Sequence, residues 1–258
     1  MRTIPNEAES PNSYTYVAFR DTETLCAASV HGLNIRLEIM ASVDKKEEKL
    51  LAHKTAVRGL SFSDDGEYLA SFDTDTVTVW NTTTGTQVAN WTGPEEMHNV
   101  AFSASNKLLA IVTEHGQVVI QNLTDSTSIE LPSPFTHGVY KVAFDPSGRF
   151  LAASGVDRLA CIWNLKTSSV AAEFPLPNST HTLSFSPDGQ LLVVGSTDIR
   201  LFDVESKELL LTFGAFTDLD ARYESLVFSP DGDCLVAVSD CDQGSILHIW
   251  DTTGGTRP

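Results

Sequence analysis

Phe185-Ser186-Pro187-Asp188-Gly189, running on into Leu191-Leu192-Val193-Val194-Gly195, is the stretch that decides the reading of this sequence. Pro presets the backbone angle of the second turn position, Asp suits the third, and Gly tolerates the positive φ that closes a tight turn. The apolar run that follows is short, rich in aliphatic residues and bounded by small ones, which is the pattern of a strand. The same unit recurs as Phe62-Ser63-Asp64-Asp65-Gly66, Phe144-Asp145-Pro146-Ser147-Gly148 and Phe228-Ser229-Pro230-Asp231-Gly232. Phe102-Ser103-Ala104-Ser105-Asn106 is a degraded copy and Phe19-Arg20-Asp21-Thr22-Glu23 a weaker one. The Phe positions 19, 62, 102, 144, 185 and 228 are 43, 40, 42, 41 and 43 residues apart.

Two more strands can be read in most copies. One ends in an aromatic residue and Asp or Asn: Trp80-Asn81, Trp163-Asn164, Phe202-Asp203 and Trp250-Asp251; the remaining copies have Gln121-Asn122 and Leu37-Glu38. Fourth strands are visible at 87–91, 169–174 and 208–213. A solenoid of helix pairs would need a 3.6-residue periodicity that these short segments lack. The period fits a four-stranded propeller blade. The predicted fold is therefore all-β: a β-propeller of about six four-stranded blades over 14–258, preceded by a tail at 1–13 that could supply a closing strand.

The Phe-Ser-Pro-Asp-Gly turns, the Trp-Asp or Trp-Asn strand ends, and a His ahead of the first strand (His53, His137) resemble the WD-repeat family over about residues 14–251. In that family a His, a Ser or Thr, an Asp and a Trp form a hydrogen-bonded set inside a blade. The resemblance implies this structural role for His137, Ser154, Asp157 and Trp163, the fuller copy, and for His53, Ser71, Asp75 and Trp80, where Asp75 and Thr74 compete for one place. A buried imidazole and a buried indole N–H both need partners, so the set makes physical sense. His98 and His181 read as shifted relatives of the blade His.

Chemistry finds little footing. The Ser-His-Asp combination sits at architectural positions, and no GxSxG elbow, Walker loop or GxGxxG fingerprint is present. The seven histidines lack zinc-ligand spacing. The expectation is a non-enzyme with no cofactor and no metal. With 34 acidic against 17 basic residues, the formal charge of −17 disfavours direct nucleic-acid binding and favours basic protein segments. No run of about 18 apolar residues and no Arg-Arg phosphoinositide motif exists, so membrane binding is not expected. Four scattered cysteines without a CxxC pair fit reduced thiols in a cytoplasmic or nuclear setting. Cys234 and Cys241, seven apart, are expected to flank a hairpin and read as buried strand cysteines rather than metal ligands.

The resemblance implies an interaction scaffold that docks a peptide or protein on its top face, where loops on a rigid framework carry function. Candidates there are Phe72, Asp73, Glu114, His115, Arg158 and Asp242 from loops between the second and third strands. From the inter-blade segments come Lys54, Arg58, Glu95, Glu96, Met97, Tyr140, Arg222 and Tyr223. The longer stretch 214–223 is either a binding loop or a tolerated insertion. Two other readings stand beside this one. The first is a small-ligand or enzymatic propeller with a central-channel site, which would need convergent polar groups on innermost strands that here read as apolar or small (57–62, 142–144, 183–185). The second is a reader of basic tails such as histones. The last copy shows three strands, so three arrangements fit: a closed six-bladed ring, an open edge to which a partner adds a strand, or part of a seven-bladed parent.

Overall fold

The computed structural model describes residues 15–19, 25–31, 34–42, 45–53, 55–93, 95–215, 222–241 and 244–252. Among them there is no helix; the strands form antiparallel meanders, the blades of a β-propeller fold. The tail at 1–13, Lys54, Asp242 and most of the 214–223 stretch lie outside the described residues.

The chain divides into two compact units, Met1–Pro94 and Glu95–Pro258. The first holds blade 1, with β1 (Thr15–Phe19), β2 (Leu25–His31), β3 (Asn34–Ser42) and β4 (Lys45–Ala52), and blade 2, with β5 (Gly59–Phe62), β6 (Tyr68–Phe72), β7 (Thr76–Asn81) and β8 (Gln87–Thr92). The second holds four blades. Blade 3 is β9 (Met97–Phe102), β10 (Leu108–Thr113), β11 (Val118–Asn122) and β12 (Ser128–Glu130). Blade 4 is β13 (Val139–Phe144), β14 (Phe150–Gly155), β15 (Leu159–Asn164) and β16 (Ser169–Pro175). Blade 5 is β17 (Thr182–Phe185), β18 (Leu191–Gly195), β19 (Ile199–Asp203) and β20 (Leu209–Phe213). Blade 6 is β21 (Arg222–Phe228), β22 (Cys234–Cys241) and β23 (Gly244–Asp251). Cys234 and Cys241 thus begin and end a single strand instead of flanking a hairpin.

The turn motif does what its residues dictate. Gly66, Gly148, Gly189 and Gly232 all sit at positive φ, and Asn106 takes the same conformation at φ 57° in the degraded copy. The Ser of the motif donates to the Asp two residues on, at 2.7 Å for Ser63 and 2.5 Å for Ser186 and Ser229. Each of these hydroxyls also accepts the backbone N–H that opens the next strand, at 3.0, 2.9 and 2.9 Å. In blade 4 the Asp145 carboxylate takes over this role and accepts from Phe150 N–H at 2.6 Å.

Alternation along each inner strand sends side chains to two different cores. In blade 4, Val142, Leu151, Ala153, Cys161 and Trp163 pack with Val112, Val118 and Ile120 of blade 3. Their neighbours Phe150, Ala152, Ala160 and Ile162 pack with Leu183, Phe185, Leu192 and Val194 of blade 5. Both faces of the middle strands are buried, which is why they read as unbroken apolar runs. Each large aliphatic or aromatic side chain so buried contributes about 1.5–3 kcal/mol. The outer strands carry exposed apolar residues such as Val88 and Leu209.

Candidate functional site: the inner-strand rim

Two of the polar sets inside blades can be compared with expectation. In blade 2, Trp80 donates its indole N–H to Ser71 Oγ at 2.7 Å, and Ser71 Oγ lies 2.5 Å from His53 Nε2. His53 Nδ1 stands 3.6 Å from Asp73 Oδ2, and Thr55 donates its hydroxyl to the same oxygen. The carboxylate is therefore Asp73, not Asp75. Asp73 is buried and accepts the N–H groups of Asp75 and Thr76 at 3.2 and 2.9 Å, which orders the β6–β7 turn. Its pKa is held below the ordinary carboxylate value: burial pushes it up, and the Thr55, Thr76 and Asp75 hydrogen bonds with the nearby imidazole outweigh that. Burial pulls the His53 pKa down, partly offset by Asp73.

Blade 4, which carries all four residue types, does not assemble the set. His137 swings outward with its side chain 67% exposed, its Nδ1 2.5 Å from Asp157 Oδ1. Asp157 also accepts the N–H groups of Thr136 and His137 at 2.6 and 2.9 Å, so it caps the segment entering the blade. Trp163 donates to the Pro132 carbonyl at 2.7 Å. Ser154 Oγ, wholly buried, has no hydrogen-bond partner among the described residues. The cause lies in β14: Leu151 pairs with Trp163, so Ser154, three residues on, points to the other face of the sheet, whereas Ser71 is only two residues from Leu69, the partner of Trp80. In β13 the pairing with β14 slips between Val139 and Lys141, leaving Tyr140 as an extra residue.

The residues predicted for a docking face divide by burial. Phe72, Met97 and Tyr223 are buried and serve packing instead: the Phe72 ring fills the space a Cβ at Gly59 would need, and Tyr223 donates its hydroxyl to the Gly214 carbonyl at 2.8 Å. Asp73 belongs to the blade 2 set. Arg58, Glu114, His115, Arg158 and Arg222 are exposed. Arg158 sits in the β14–β15 turn at φ 56°. In blade 3, Glu95 accepts from Thr113 Oγ1 at 3.1 Å and stands 3.5 Å from His115 Nδ1, while the Glu96 carbonyl accepts Glu114 N–H at 2.9 Å.

Tyr140 is the candidate that the structure places in company. His98 on β9 lies 5.4 Å from its ring and His181, just ahead of β17, stacks on it at 4.9 Å and 14°. All three are part-buried. Arg222 follows on β21, hydrogen-bonded to Glu224. Burial and the Arg222 charge lower the His181 pKa, and Glu224 partly restores it. His98 and His181 are therefore members of a ladder across three successive inner strands, not displaced copies of the blade His. The signal was countable: His98, Tyr140, His181 and Glu224 each stand four residues before the motif Phe at 102, 144, 185 and 228. Asp73 was countable too, since it follows His53 by twenty residues as Asp157 follows His137.

The WD domain, G-beta repeat family matches this chain at residues 45–81, 130–164 and 177–201, covering the third strands of blades 2, 4 and 5. WD repeat-containing protein SL1-17 of Schistosoma mansoni is 30% identical over 166 residues, 62% of this chain and 54% of that protein. Protein sof1 of Schizosaccharomyces pombe is 27% identical over 226 residues, 84% of this chain and 50% of that protein. Actin-interacting protein 1 of Drosophila melanogaster is 30% identical over 124 residues, 46% of this chain and 20% of that protein. The chain spans about half the length of the first two relatives. WD repeats generally mediate protein–protein interaction and are generally non-catalytic. Turns, strand ends, blades and relatives agree: this chain belongs to the WD-repeat family.

Proposed function

We propose that this chain is a non-catalytic scaffold that docks a peptide or protein at the inner-strand rim of its second unit. The observation that carries the reading is the His98–Tyr140–His181 ladder, with Arg222 beside it. Stacked rings held by neighbouring strands lose little freedom on binding, and Tyr and Arg are the residue types that anchor interfaces. Arg158 and the His115–Glu95 pair would form the polar surround. A partner with basic segments suits the formal charge of −17, and a cytoplasmic or nuclear setting suits the free Cys161 and Cys234.

The test places a photo-crosslinking residue at position 140 and, separately, at Leu210 on the exposed outer strand β20. The same protein crosslinked in cells from 140, absent from 210, and lost when Arg222→Ala is added would support docking at the rim. Crosslinks to it from 210 only, or from 140 regardless of Arg222→Ala, would move the interface elsewhere.

A further inference from the structure

The failure of the blade 4 set leaves a polar cluster that the docking reading does not use. Lys141 and Ser154 are direct cross-strand partners on β13 and β14. Cross-strand partners point to the same side of a sheet. That side is the one facing blade 5, because Ala143 and Ala152, each two residues away along its strand, pack into the blade 4–blade 5 core. Lys141 and Ser154 thus continue the row of Ala143 and Ala152 beyond the end of that apolar cluster.

The opposite wall is the segment entering blade 5. Thr180 N–H bonds to the carbonyl of Gly155, the residue after Ser154, at 3.1 Å. Its neighbour His181 stacks on Tyr140, the neighbour of Lys141. Both links tie the segment at Thr180 to the end of blade 4 that holds the Lys141–Ser154 pair. Thr180 is 1% exposed and its Oγ1, like Ser154 Oγ, has no hydrogen-bond partner among the described residues. Lys141 keeps some exposed area, yet burial depresses its pKa and no nearby charge offsets this.

The three groups are alike in what they offer. An ammonium carries three donors and no acceptor, and each hydroxyl can turn its proton toward a ligand. Buried polar groups are almost always satisfied, so unsatisfied hydroxyls beside an uncompensated cation ask for one occupant that accepts from all of them. We propose that Lys141, Ser154 and Thr180 form a binding site for a small oxyanion, a phosphate or a carboxylate. The anion would neutralise the lysine, accept the two hydroxyl protons, and tie β13, β14 and the entry to blade 5 together. This site stands independently of rim docking.

The experiment follows thermal unfolding of the full chain in inorganic phosphate and, as a second arm, in acetate, each against sodium chloride at equal ionic strength. An anion that binds only the folded state should raise the melting temperature by about 2–5 °C at roughly ten times Kd. A response to one anion only would name the class that fits. Lys141→Met should remove the response and melt higher than wild type in chloride, since it deletes an uncompensated charge. The Ser154→Ala, Thr180→Val double variant keeps the charge and should weaken anion affinity about tenfold; it carries the test if Lys141→Met fails to fold. Equal melting in all three salts would overturn the proposal and leave ordered water as the occupant. So would an undiminished response in either variant.

Discussion

Blades 2 and 4 begin from nearly the same residues and end with different interiors. Blade 2 closes a chain of contacts from Trp80 through Ser71 to His53 and Asp73. Blade 4 breaks it at both links: Trp163 turns to a backbone carbonyl, and His137 faces solvent. Ser71 and Trp80 are nine residues apart, as are Ser154 and Trp163, but the registers differ: Trp80 pairs with Leu69, two residues before Ser71, and Trp163 pairs with Leu151, three residues before Ser154, so Ala153 stands where Ser71 does and Ser154 faces away from its tryptophan. His53 precedes its serine by eighteen residues, whereas His137 precedes Ser154 by seventeen. A strand sends successive side chains to opposite faces, so a one-residue shift of the serine along the second strand suffices to take its hydroxyl from the tryptophan. A motif can therefore be complete in composition and absent as a structure.

This difference can be broken most forcefully at the serines. Ser71→Ala leaves the Trp80 indole and the His53 ring without their shared partner, and each buried group so stranded costs about 1–3 kcal/mol. The expected loss is about 2–4 kcal/mol by urea unfolding. Ser154→Ala removes a hydroxyl that has no partner among the described residues and should change stability by no more than about 0.5 kcal/mol in anion-free buffer. Equal costs at the two serines would show that blade 4 assembles the same set in solution.

The carboxylates come next. Asp73→Asn should cost about 1–2 kcal/mol, because one amide oxygen must replace a buried carboxylate serving Thr55, Asp75 and Thr76. Asp75→Asn should cost less than about 0.5 kcal/mol, since the Asp75 carboxylate is exposed and, among the described residues, accepts only from Thr76 Oγ1. The reverse order would restore Asp75 to the blade set.

Acidification sharpens the contrast between the histidines. His53 has a folded pKa below its ordinary value of 6.5, burial being the main cause. The unfolded chain then binds the proton more readily. The contribution is fully present above pH 6.5 and is lost as the pH falls below it toward the lowered folded value. Unfolding midpoints should fall as the pH drops below 6.5, and His53→Gln should flatten that fall while lowering stability at pH 7. An unchanged slope would mean that His53 is not buried as a neutral ring. The smallest effect is expected at His137→Ala: the ring is 67% exposed, and losing its contact to Asp157 should cost under about 1 kcal/mol in the same assay.

Most of the architecture could be read before the structure. The turns at Gly66, Gly148, Gly189 and Gly232 demand positive φ, and the strands between them are too short and too evenly spaced for helices. The fourth strand of blade 3, Ser128–Glu130, escaped notice because its three residues are exposed and carry no apolar pattern. Lys141 escaped because β13 begins three residues before the apolar run that announced it. The docking candidates suffered from a different limit: loop position says nothing about burial, and Phe72, Met97 and Tyr223 turned inward.

The sequence by itself determined the repeat, the blade and the family, because turn chemistry and strand alternation are local and each copy restates them. Tertiary structure alone decided which polar groups meet. The His98–Tyr140–His181 ladder joins three blades, and the Lys141, Ser154 and Thr180 cluster joins two. Such contacts depend on the register between neighbouring strands, and a slip of one residue at Tyr140 redirects side chains while leaving the spacing of the repeat intact.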